Sequence, residues 1–307
     1  MIEKIKMIEK YVVDAVSRLD VFLAKVLEIS RNQAQLLIET SVYVNGQKPS
    51  KAGVKLQLGD VITIDRNLNS HESIVPKNIH FDIIYEDEDI IVVNKPRGLV
   101  VHPAVGHPDD TLANALAYHY QMDQEMASDE NRMGIVHRID KDTSGLLLVA
   151  KNPKAKKNLS DQIKNHQVDR EYLCLAYGYF RDAKFKVVGA IARNEYDRKK
   201  MAVDVEKGKK ATTHFTLVRQ FKNVGLLSCK LETGRTHQIR VHLSFINHPI
   251  VGDSVYGTKK IPFADQGQVL HAYKISFTHP ISGKKMVFYA PIDDYFKMCL
   301  SRVIEMD

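Results

Sequence analysis

The sequence predicts an α+β chain: a mixed, mostly antiparallel sheet, preceded by a small α+β domain. Three observations carry this. Apolar runs recur at strand length, as in Leu146 to Ala150, closed off by glycine before and Lys151-Asn152-Pro153 after. Helical periodicity is confined to a few segments. Asn67 to Lys77, with Asn, Ser, His and Pro and no periodicity, separates two patterned regions as a linker. The boundary falls near Val75, giving expected domains 1–75 and 76–307.

In the first region, Leu19, Phe22, Leu23, Val26 and Leu27 stand at helical spacing. Ser30 is expected to cap a second helix, with Ala34, Leu37 and Ile38 on one face and Arg31 and Gln35 free to point outward. Val42-Tyr43-Val44 before Asn45-Gly46 predicts a strand and tight turn. Val54 to Ile64 alternates around Gly59-Asp60 as closing strands.

In the second region, Phe81 to Tyr85 and Ile90 to Asn94 predict strands around the acidic turn Glu86 to Asp89, which should face away from a polyanion. Lys95 and His102 then fit turn architecture. Thr111 to Tyr120 predicts a helix, Gln121 to Met133 a polar connection, and Lys154 to Gln167 a basic helix. Arg170 to Gly178 alternates as a strand. Arg193 to Thr213 sets lysines and arginines against alternating Met201, Val203 and Val205, a strand pair with a basic face. Ile275-Ser276-Phe277 and Met286 to Tyr289 bracket a turn as a final hairpin.

The polar string His137-Arg138-Ile139-Asp140-Lys141-Asp142-Thr143-Ser144-Gly145 runs straight into the central buried strand. Loops held by strands concentrate catalytic side chains, which makes Asp140 the first candidate. Taken alone, the string fits equally a turn in which Asp140 and Asp142 cap backbone N–H groups and pair with Arg138.

This string resembles the signature of RluA/RluD-type pseudouridine synthases, with only Ile139 departing from the usual leucine. Further resemblances follow in order: Asn94 to Pro103; Arg170-Glu171-Tyr172; the Arg198-Lys199 and Gly208-Lys209 elements; and Thr233-Gly234-Arg235-Thr236-His237-Gln238-Ile239-Arg240. The first region resembles the S-four RNA-binding module. The resemblance implies the pseudouridine synthase fold with its central cleft across the sheet, Asp140 as nucleophile, Tyr172 stacking on the base, and Arg235 meeting Asp140. An arginine at contact favours an ionised carboxylate and orients it. A uridine inside a stem must be flipped out to be reached, and Arg138 would fill the gap. Arg31, Arg193, Arg198, Lys199, Lys209, His237 and Gln238 are the further expected RNA contacts. Isomerisation breaks one glycosidic bond and forms another without redox change, so no cofactor is implied. The residues leave open whether Asp140 bonds to sugar or base or acts through a glycal.

A net charge of +7 and a pI near 9.1 suit a polyanionic partner. Three scattered cysteines and the spacing of His237 and His242 form no zinc pattern, so no metal is expected. No apolar run reaches membrane-spanning length and the N-terminus lacks a signal peptide's apolar core, so a cytoplasmic monomer is expected. The expected substrate is large-subunit ribosomal RNA. Alternatives are a transfer-RNA-directed synthase, a non-catalytic ribosome assembly factor, and an unrelated Asp-dependent hydrolase.

Overall fold

The computed structural model describes residues 8–29, 31–65, 74–104, 106–120, 133–197, 200–257 and 263–307. The chain divides into two compact units, Met1–Ser73 and Ile74–Asp307.

The first unit runs β1 (Ile8–Val12), β2 (Ser17–Arg18), α1 (Leu19–Val26), α2 (Arg31–Thr40), β3 (Val42–Val44), β4 (Lys55–Leu56) and β5 (Val61–Asp65). β5 pairs antiparallel with both β1 and β3, and β2 pairs with β4. Leu19, Leu23, Ala34, Ile38, Val42, Ile62 and Ile64 form its core, as the apolar spacing predicts. Asn45 and Gly46 both take positive φ, 51° and 80°, the geometry that closes a two-residue hairpin with the right twist. The expected cap Ser30 lies outside the described residues. Arg31 and Gln35 are not free: both donate to Asp20, whose carboxylate is fully buried and also held by Arg18. These donors hold the Asp20 carboxyl far below its ordinary range.

The second unit continues with β6 (Asp82–Glu86), β7 (Ile90–Lys95), α3 (Leu112–Tyr120), β8 (Ser144–Ala150), α4 (Pro153–Lys164), β9 (Asp169–Tyr177), β10 (Lys184–Val188), β11 (Ile191–Arg193), β12 (Met201–Val203), β13 (Thr212–Gln220), β14 (Val224–Leu231), α5 (Gln238–Phe245), β15 (Leu270–Thr278), β16 (Lys285–Tyr289) and α6 (Asp294–Glu305). One nine-stranded sheet takes the order β10-β13-β14-β9-β15-β8-β7-β6, with β16 on β15. Every pairing in it is antiparallel except β15 with β8, so the sheet is mixed as expected.

β8 is buried along its whole length. Leu147 and Val149 face one core with Ile91 and Val93, while Leu146 and Leu148 face another with Ile90 and Val92. Burial on both faces explains why the strand reads as a continuous apolar run rather than an alternating one. Gly145 begins it at φ 106°, and a Cβ there would sit 2.3 Å from the Ala272 carbonyl oxygen, so only glycine admits the parallel neighbour. α4 opens with the Asn152 side chain accepting from Ala155 N at 2.8 Å. The acidic turn is consumed structurally: Asp87 accepts from the Asp89 and Ile90 amides, and Glu86 pairs with Lys151 and His119.

Two helices were not anticipated. α5 hides because Ile239, Val241 and Leu243 alternate like a strand, while Gln238, Arg240 and His242 are buried as well, leaving no polar face to betray a 3.6-residue period. α6 does carry a periodic face, Tyr295, Phe296, Cys299 and Val303, packed on Leu175 and Val251. Val205, expected on a strand, is exposed in the turn after β12.

Candidate active site

A cavity of about 840 Å³ opens on the face of the sheet carrying Tyr172, lined by the loop before β8, the segment Leu231 to Arg240, and Arg170 and Tyr172 of β9. The loop is held at its backbone. Lys95, fully buried at the end of β7, donates from Nζ to the carbonyls of Pro96 at 2.7 Å, Leu99 at 2.8 Å and Lys141 at 2.9 Å. Burial pushes its ammonium down to about 7, and three carbonyl acceptors compensate the charge. Gly98 N donates to the same Lys141 carbonyl, Arg97 to that of Asp142, and Gln268 to the Thr143 hydroxyl. Turn architecture, as expected for Lys95, here fixes the residue that follows Asp140.

Asp140 enters the cavity from this loop. Its Oδ2 accepts from Arg240 Nη1 at 2.8 Å. The same guanidinium grips Asp253, Nε to Oδ2 at 2.7 Å and Nη2 to Oδ1 at 2.9 Å, and lies 5.1 Å from the centroid of the Tyr256 ring. Asp253 in turn accepts the Val255 and Tyr256 amides. Arg240 is thus a rigid planar bridge with one end fixed in the core and the other presented to Asp140.

The expectation that Arg235 meets Asp140 is corrected here. Arg235 sits in the loop before α5, lines the cavity, and donates from Nε to the Lys210 carbonyl at 3.1 Å. Arg240, five residues on, lies in the first turn of α5 where its side chain turns inward. Gln238 is corrected as well: at 3% exposure, it accepts from the Thr233 hydroxyl and Arg235 N and donates to Thr212 O and the Thr213 hydroxyl, so it shapes the loop and has no group left for RNA.

His237 takes left-handed φ at 56° before α5, and its Nε2 stands 3.8 Å from Asp140 Oδ1. The Tyr256 hydroxyl accepts from Met201 N and stands 2.8 Å from His237 Nδ1, a hydrogen bond that either tautomer of the ring can make. Burial lowers the His237 pKa, which keeps the ring neutral. Tyr172 is buried beside the cavity, its hydroxyl pKa raised by burial and opposed by the Arg170 charge. His137, at the start of the string, accepts from Leu148 N at Nε2 and so tethers the loop to β8.

Arg138 is exposed at the cavity wall. Arg193 and Lys209 are exposed on β11 and beside it, where the Lys209 backbone pairs with Ile191. Arg198 and Lys199 lie outside the described residues. Among the described residues the one cluster with metal-ligand geometry, Asp87, Asp89 and His279, stands apart from this cavity. No described helix is long and apolar enough to cross a membrane.

The profile of the family described as RNA pseudouridylate synthase matches residues 89–245, and that of the S4 domain matches residues 17–62. An RNA pseudouridine synthase of Bacillus subtilis, YlyB, named as uncharacterized, is 42% identical over 279 residues, covering 90% of this chain and 91% of its own. The ribosomal large subunit pseudouridine synthase D of Zymomonas mobilis is 42% identical over 284 residues, covering 89% of each chain. In structure, human RNA pseudouridylate synthase domain containing 1 superposes with a TM-score of 0.56 at 23% identity, over 74% of this chain and 96% of that one, and shares the fold. On this sequence and this architecture, the chain belongs to the RNA pseudouridylate synthase family and carries an S4 domain.

Proposed function

We propose that this enzyme converts specific uridines of large-subunit ribosomal RNA to pseudouridine, with Asp140 as the catalytic carboxylate. The observation that carries the reading is the Asp140–Arg240–Asp253 bridge at the wall of a cavity wide enough for a flipped nucleotide. The reaction detaches the ribosyl carbon from the uracil nitrogen, turns the base and rejoins the sugar at a ring carbon, which then gives up its proton. A carboxylate suits it because an electron-poor centre can be stabilised or trapped by a fixed anion. Arg240 holds that anion in place without reorganisation, since Asp253 has already fixed its fork. Tyr172 supplies a face for the base and a hydroxyl within the cavity, and His237 places its Nε2 beside the carboxylate.

The choice of ribosomal RNA rests on relatives named as large-subunit synthases over nearly the whole chain. The exposed Arg138 is placed to fill the stack that the uridine leaves. We assign the enzyme to the cytoplasm, acting as a monomer. The test is to delete the gene and map pseudouridine across all stable RNAs. Loss at large-subunit positions is expected, and loss confined to transfer RNA would overturn the assignment.

A further inference from the structure

Among the described residues of this unit the buried cations are compensated, with one exception. Arg240 is shared between two carboxylates, Lys95 donates to three carbonyls, and Arg97 meets Asp293 and the carbonyls of Asp142 and Gln268. Arg170 is 8% exposed, and its Nε has no hydrogen-bond partner and its guanidinium no carboxylate among the described residues. A buried charge left so costs several kcal/mol unless something completes it.

The surroundings are built to keep the guanidinium where it is. Arg170 precedes Tyr172 by two residues on β9, so both side chains leave the same face of the sheet and line the cavity. The Gly234 backbone passes directly over it: a Cβ at Gly234 would lie 2.7 Å from Nη1 and 3.1 Å from Nη2. A side chain at position 234 would have to push the guanidinium aside where the segment leading to Arg240 crosses it.

We propose that Arg170 is an anion subsite of the catalytic cavity that takes the phosphodiester adjoining the uridine drawn into it. The inference rests on the reading that an RNA uridine enters this cavity. RNA supplies one fixed negative charge on each side of every base, and a guanidinium fork matches two phosphate oxygens in one plane. Uracil is neutral, so its carbonyl oxygens could accept hydrogen bonds from the fork but bring it no opposite charge, which the phosphodiester does. A clamp on the adjoining phosphate fixes the depth to which the nucleotide enters beside Tyr172.

The experiment uses short substrate RNAs carrying a single neutral methylphosphonate linkage, moved one position at a time around the target uridine. For the wild-type enzyme, one linkage adjoining the uridine should weaken binding and raise KM by roughly tenfold or more, with kcat changed little. Arg170→Met should show the same loss on unmodified RNA and become indifferent to that linkage, and Arg170→Lys should fall between. Wild-type indifference to every linkage would overturn the subsite, as would an Arg170→Met enzyme that keeps full sensitivity or loses kcat alone. The wild-type scan decides even where the variant misfolds. Unmodified RNA that is bound but never isomerised would instead defeat the underlying functional reading, and the subsite with it.

Discussion

Arg240 reaches Asp140 from α5 at 2.8 Å while its remaining donors are locked on Asp253, whose side chain is fully buried. The pair that orients the carboxylate is therefore the visible end of a three-residue bridge, and the hidden end makes it stiff. Replacing Arg240 with Met leaves Asp253 buried and unpaired. We expect near-complete loss of turnover and a stability loss of about 3–5 kcal/mol, the range for breaking one side of a buried ion pair. Arg235→Met removes a bond to one carbonyl and should cost about 1 kcal/mol or less. Turnover and urea unfolding of both variants check the order, and equal effects would return the role to Arg235.

Asp140→Asn keeps the shape and the acceptor for Arg240 while removing the charge. Isomerisation should fall below detection while RNA affinity stays within a few fold, since every arginine and lysine is untouched. Chemical mapping of treated RNA, with mass analysis to exclude deamidation of the Asn, gives the answer. Turnover near wild type would end the assignment.

Burial pushes His137 down to about 3 from 6.5, and it lowers His242 and His271 in the same direction. The unfolded chain then binds a proton that the folded one refuses between these values. Stability from the neutral rings is fully present above pH 6.5 and declines as pH falls below it, for His137 down to about 3, at up to roughly 1.4 kcal/mol per pH unit for each ring. His137→Gln removes one titrating group, so its stability should be lower on the neutral plateau and fall less steeply in acid. Urea unfolding from pH 8 to pH 4.5 measures both slopes. Parallel slopes would show that His137 is protonated in the fold.

Gly145→Ala places a methyl group 2.3 Å from the Ala272 carbonyl at a φ of 106°. Both the clash and the backbone strain fall at the junction of β8 and β15, and we expect a loss of about 3 kcal/mol or more with turnover reduced alongside it. Thermal unfolding of the variant, set beside Gly283→Ala in an open turn, separates the clash from glycine's general flexibility.

Most of the sheet was legible because its strands advertise themselves by length, alternation and punctuation. The loop carrying Asp140 was legible because glycine and an apolar strand frame it. The partner of Asp140 was not. Arg235 and Arg240 stand in one motif, and only the helical turn of Gln238 to Phe245 decides which of them looks inward. Burial on all sides erased the helix's polar stripe, and with it the clue. Gln238 misled for a related reason: an amide near a basic motif looks available until its four hydrogen bonds are seen. The Arg170 charge was visible in sequence, but its lack of a carboxylate belongs to three-dimensional space.

The parallel pairing of β8 with β15 joins Ser144 to His271 across 127 residues of chain. A growing polypeptide emerges with Asp140 in hand, acquires Arg240, Asp253 and Gln268 about 100 residues or more later, and gains the strand that holds the Asp140 loop only after them. Translation must therefore run through most of the coding sequence before the catalytic cavity can close. A truncation between Asp253 and β15 yields a chain that retains the signature residues and lacks the strand that holds their loop.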